Sequence, residues 1–131
     1  LLKNAILWGY GPDTYAIKFP QDDYFGKLIA FGTVGKIVDK PHNLYLQIAI
    51  NTGFLSLFMF LIIILKNVYD NLKRYLTYEN YNYYDILRIS SFFGVIGYLV
   101  SGLANDSVVS VAPVFWFLLG ISIMKIKEKK I

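Results

Sequence analysis

The chain's one histidine, His42, lies in the run Asp39-Lys40-Pro41-His42-Asn43-Leu44-Tyr45-Leu46-Gln47, where a polar stretch meets 22 uncharged residues from Leu44 to Leu65. A neutral imidazole accepts a proton from an attacking hydroxyl or donates a hydrogen bond. In the first turn of a helix it also stands beside unpaired backbone N–H groups and the positive end of the dipole, which together make an anion site. Lys40 and, further upstream, Lys36 add positive charge on the approach. The combination suits a phosphate-bearing lipid headgroup. Asn43, Gln47 and Asn51 come at i, i+4 and i+8, so they share one helical face. A carboxylate on the same side, Asp106, would accept the other ring N–H and orient the imidazole. Plainer roles compete with these: His42 as a helix cap or interfacial anchor, Asp106 as a hairpin cap.

Composition narrows the setting. Hydrophobic residues make up 56% of the 131 residues and charged ones 17%, and the apolar residues gather into long uncharged runs, the signature of a membrane protein. With no cysteine and a single histidine, the chain carries no thiolate chemistry and no self-contained zinc site. Its net charge of +4 does not point to nucleic acid, because no basic groove interleaved with aromatics accompanies it.

This patterning also predicts the elements that must position His42, an all-α, polytopic membrane helix bundle. Three transmembrane helices are expected over 44–65, 86–104 and 108–124, with an extracytoplasmic loop containing short helices over 1–43, a cytoplasmic loop over 66–85 and a basic tail over 125–131. A helix from Leu44 to Leu65 would cover roughly 33 Å, enough for a hydrocarbon core of about 30 Å. Leu2, Ile6 and Trp8 suit the end of an interfacial helix or a buried turn. Gly9-Tyr10-Gly11-Pro12-Asp13 reads as a turn, with Asp13-Thr14 able to cap the segment beginning at Tyr15, and Asp22 or Asp23 as the cap of a short helix reaching Phe31. Tyr69, Tyr75, Tyr78, Tyr81, Tyr83 and Tyr84 read as an aromatic belt at headgroup depth.

In the second span Arg88 is expected to snorkel to the near interface, and the pairs Ser90/Gly94 and Gly97/Ser101 to admit a neighbouring helix. Asn105-Asp106-Ser107 predicts a tight hairpin, with Asp106 or Ser107 capping the third span and Pro113 bending it two turns in. Counting Lys and Arg orients the whole. With the tail cytoplasmic, the entire net charge falls on the side of Lys66, Lys73, Arg74 and Arg88, while the side of His42 and Asp106 is neutral. Leu1 begins inside an apolar stretch with neither an initiator methionine nor a signal-peptide pattern, so the expectation is the C-terminal portion of a longer protein.

Two motifs carry a family resemblance. His42-Asn43, nine residues from Leu44 to Thr52, and then Gly53 resemble the signature of the O-antigen ligase and O-antigen polymerase superfamily of bacterial membrane proteins. Upstream, Leu7-Trp8-Gly9-Tyr10-Gly11-Pro12-Asp13-Thr14-Tyr15 is similar to the glycine–proline turn that precedes the histidine in that superfamily. The closing helix–hairpin–helix with a basic tail is similar as well. The resemblance implies a metal-independent transferase that needs no cofactor, moving glycan from a polyprenyl-diphosphate carrier to an acceptor hydroxyl with inversion at the anomeric carbon. His42 would then be the base or a diphosphate ligand, Asn43 would hold the ring or the donor, and Lys40, Gln47 and Lys36 would contact substrate. Gly9, Gly11, Pro12 and Gly53 would be structural. Asp22 and Asp23 either contact sugar hydroxyls or form a solvated loop face. Partners would be the lipid-linked oligosaccharide, a glycan, lipid or protein acceptor, membrane lipids and further helices of the same protein. The chain departs from the pattern in two places: residues 1–43 contain no arginine where the superfamily uses them, and Ser56 stands where glycine, threonine or tyrosine is usual. A reading from another class is a non-catalytic membrane component, such as part of a polysaccharide flippase or transporter.

Overall fold

Gly53 is where the chain departs most from a simple reading of its hydropathy. In the computed structural model, which describes residues 7–77 and 82–124, the apolar run is two helices rather than one. The described residues form six helices and no strand: α1 (Tyr15–Lys18), α2 (Tyr24–Phe31), α3 (Leu44–Thr52), α4 (Phe54–Thr77), α5 (Tyr83–Ser101) and α6 (Ala112–Ile123). Two compact units divide them. One holds the chain up to Met59 together with Leu103–Asp106; the other holds Phe60–Gly102 and the residues from Ser107 onward.

In the first unit, the N-terminal turn closes on the end of α3. The Tyr10 N–H donates to the Ile50 carbonyl at 2.7 Å and the Gly11 N–H to the Asn51 carbonyl at 2.9 Å. The last carbonyls of a helix lack internal partners, and here the turn supplies them. Gly53, at φ 88°, cannot continue the helix, and a side chain there would fall onto the Leu7 carbonyl. The expected 44–65 span is therefore corrected to α3 and α4. Gln21 ties the loop together, donating from Nε2 to the Ala16 and Val38 carbonyls at 3.0 and 2.8 Å and accepting from the Val38 N–H at 3.2 Å. Asp23 caps α2 by accepting from the Gly26 N–H at 2.8 Å, and Gly32 ends it at φ 67°. Thr14 bonds back to the Gly11 carbonyl at 2.8 Å and gives α1 no side-chain cap.

In the second unit α4 and α6 run parallel and α5 antiparallel to both. Phe60 meets Phe115 and Asn67 meets Ser122, so the register of α4 and α6 advances together. Arg88 of α5 reaches Ser122, whereas Tyr98 stacks on Phe115 at 4.4 Å and bonds Ser107 at 2.9 Å. Gly94 packs under Leu118, while Ser90, Gly97 and Ser101 are exposed.

Further expectations are corrected. The stretch 66–77, expected in a loop, continues α4, because no glycine or proline interrupts it and Asn67 and Asn71 find buried partners on one face. α5 starts at Tyr83, earlier than expected, where Asn82 and Asp85 form a reciprocal capping box. α6 starts at Ala112 with neither Asp106 nor Ser107 as its cap, and Pro113 sits in its first turn, where its missing N–H costs nothing and bends nothing. The connection between α5 and α6 accordingly runs from Gly102 to Val111, not as a three-residue hairpin. The basic tail 125–131, Leu2, Ile6, Tyr78 and Tyr81 lie outside the described residues.

Among the described residues, α4 alone is long and apolar enough to cross a membrane: its 24 residues cover roughly 36 Å. α6 is apolar but has 12 residues, roughly 18 Å. Leu61, Ile62, Ile63 and Leu65 of α4 are exposed, the reverse of a water-facing helix.

Candidate functional site

The chain arrives at α3 through a reversal. His42 adopts a left-handed backbone (φ 47°) and Asn43 an extended one (φ −154°), so the histidine precedes the helix rather than standing in its first turn. Asn43 is the N-cap: its Oδ1 accepts from the Leu46 N–H at 2.9 Å. Its Nδ2 donates to the Leu103 carbonyl at 2.8 Å, tying residues 103–106 to the start of α3. Both ends of the Asn43 amide are thus engaged within the fold.

That tie brings Asp106 to His42. Asp106 Oδ1 lies 3.3 Å from His42 Nδ1, and Oδ2 lies 3.3 Å from the Lys40 ammonium. The ammonium approaches Oδ2 outside hydrogen-bond geometry, so that pairing is one of charge. The carboxyl side chain is 9% exposed and the imidazole 63%. A nearly buried carboxylate therefore lies beside Nδ1 of a largely exposed ring. Burial works against ionisation of Asp106. Its own backbone N–H, the Lys40 ammonium and His42 outweigh burial, holding the carboxyl below its ordinary range.

Behind Lys40 lies a crevice of about 20 Å³, lined by Asp13, Tyr15, Asp39, Lys40, Pro41, Gln47, Ile50 and Asn51. Gln47 and Asn51 thus share a wall with Lys40, and Asn43 does not. Lys36 stands apart, its ammonium 4.7 Å from the centre of the Phe31 ring. Gly9, Gly11, Pro12 and Gly53 belong to the turn and helix break behind the crevice. Asp22 is exposed, and Asp23 is spent on the α2 cap. Ser56 bonds the Thr52 carbonyl at 3.0 Å, across the break.

Hydropathy alone hid a second polar group, buried in the second unit. Arg88 is 5% exposed and donates from Nε to Asn71 Oδ1 and the Ser122 carbonyl at 3.0 and 2.9 Å, so it does not snorkel. Arg74 pairs with buried Asp85, Nη2 to Oδ1 at 2.6 Å. The spacing of Asn67, Asn71 and Arg74 at i, i+4 and i+7 is the signal that one face of α4 is polar past Leu65.

Comparison with protein-family models, curated proteins and solved structures finds no match. The described residues define an all-helical structure with one membrane-length helix and a carboxylate–imidazole–ammonium cluster at the N-terminus of a broken helix.

Proposed function

We propose that this chain is the C-terminal portion of an O-antigen ligase- or polymerase-like glycosyltransferase of the bacterial cytoplasmic membrane, with three spans and its site on the extracytoplasmic face. The observation that carries the reading is the approach of Asp106 to both His42 Nδ1 and the Lys40 ammonium, each at 3.3 Å. A carboxylate on Nδ1 orients the ring so that Nε2 is the basic edge. The acceptor hydroxyl oxygen attacks the anomeric carbon of the donor and its proton passes to His42 Nε2. The bond from that carbon to the diphosphate oxygen breaks, and the lipid diphosphate leaves with the electron pair. Lys40 stabilises the charge that develops there. Asn43, in this arrangement, positions the ring and the strap that carries Asp106 rather than touching the donor.

The test is transfer of glycan from lipid-linked donor by the complete protein. His42→Ala abolishes transfer while membrane insertion and expression persist. Retained transfer at normal expression removes His42 from the mechanism.

A second reading, a flippase or transporter component, draws on the polar residues Asn67, Asn71, Arg88 and Ser122 buried among α4, α5 and α6. It predicts that Asn71→Leu abolishes translocation of a labelled lipid-linked glycan in vesicles, whereas the transferase reading predicts that translocation does not depend on this chain.

A further inference from the structure

Asn67 is 2% exposed, and its Oδ1 has no hydrogen-bond partner among the described residues, although its Nδ2 donates to Ser122 Oγ at 2.7 Å. A buried acceptor left in this state is destabilising. Asn67 also forms part of the wall of a cavity of about 210 Å³, far above the roughly 10–15 Å³ that admits one water. The remaining wall is Lys66 and Asp70, one on either side of Asn67 along α4, with Ile63, Ser122 and Ile123. The cavity wall therefore carries one cation, one anion, two neutral polar residues and two branched apolar side chains.

We infer that this cavity receives the headgroup of a phospholipid bearing a primary ammonium. The phosphodiester sits against Lys66, the ammonium donates to the Asp70 carboxylate, and the acyl chains leave past Ile63 and Ile123. The charges match a zwitterion, and the Asp70 carboxylate accepts hydrogen bonds from a primary ammonium. A quaternary choline headgroup carries the same charge but has no N–H to give. The ligand is a lipid rather than a free zwitterion because isoleucines flank the charged wall and α4 beside it exposes Ile62 and Leu65. This assignment rests on the chain lying in a membrane, as the transferase reading has it. It is otherwise separate from the His42 cluster and needs no glycan chemistry.

The experiment reconstitutes the full chain in nanodiscs of equal parts phosphatidylethanolamine and phosphatidylcholine, then identifies retained lipid by native mass spectrometry. Ethanolamine lipid is retained over choline lipid by roughly tenfold, the scale of one charge-assisted hydrogen bond. Asp70→Asn removes that preference, and Lys66→Gln, at an exposed position that leaves folding untouched, lowers retention of both lipids. Equal retention of the two lipids by the unaltered chain overturns the assignment. So does displacement of the lipid by soluble phosphoethanolamine at equal concentration, which would make the ligand a free zwitterion. A chain that fails to enter the bilayer overturns the membrane reading and this site with it, whereas one that enters and shows no preference overturns the site alone.

Discussion

Gly9 and Gly53 meet backbone to backbone. A Cβ on Gly53 would collide with the Leu7 carbonyl and stand 2.9 Å from the Gly9 nitrogen, and one on Gly9 would lie 2.5 Å from the Asn51 carbonyl. Both glycines are left-handed, at φ 70° and 88°. The two glycine motifs, far apart in sequence, are thus halves of one joint: the turn caps the carbonyls that the break in the helix leaves open.

The joint sets the first expectation. Gly53→Ala must bear both the left-handed strain and the overlap, together about 2–4 kcal/mol. Its thermal midpoint in detergent falls well below that of Gly97→Ala, where a Cβ meets nothing within 4 Å inside a helix. There alanine stabilises by up to about 1 kcal/mol. Equal midpoints for the two variants would show that the joint is not tight.

Asn43 separates capping from tethering. Asn43→Asp keeps the Oδ1 cap and loses the donor to Leu103, whereas Asn43→Ala loses both, at about 1 kcal/mol for the cap alone. Helix stability therefore drops for alanine more than for aspartate, while both release residues 103–106. A nitroxide on a cysteine introduced at Ala104 reads that release, aided by the absence of any native cysteine. Unchanged spectra in both variants would remove the tether.

The Asp106 carboxyl is depressed in the fold, so the unfolded chain binds its proton more tightly. The pairing contributes stability above the ordinary carboxylate range, and that contribution is lost as pH falls through the folded value. Lys40→Met removes a cation from Oδ2 and raises the titration point of Asp106, followed by carboxyl carbon-13 resonance. A titration point that stays put would mean that Lys40 does not sense the carboxylate.

Asp85 accepts the Arg74 guanidinium and closes the α5 capping box while 2% exposed. Asp85→Ala leaves Arg74 without this carboxylate and opens the cap, a loss of about 3–5 kcal/mol measured by denaturation in detergent. Adding Arg74→Met recovers part of it, since the guanidinium that faced this carboxylate is then gone. A double variant no better than the single one would assign the loss to the cap.

The helical class of the chain was legible in its residues, because helix periodicity and apolar run length are local properties. So were a cap of α2 at Asp22 or Asp23, of which the fold uses Asp23, the turn at Gly9–Asp13, and the residue types of the cluster around His42. What the residues could not reveal was partnership. The run from Leu44 to Leu65 has no composition that distinguishes one helix from two, and Gly53 ends α3 because Leu7, Tyr10 and Gly11 arrive from elsewhere to occupy its side and satisfy its carbonyls. Arg88 carries the same formal charge whether it reaches water or Asn71, and only the packing of α4 and α6 around it selects the second. Likewise, Asp106 becomes the partner of His42 through the Asn43–Leu103 tie. Such contacts join residues distant along the chain, and their energies belong to the assembled pair rather than to either residue alone.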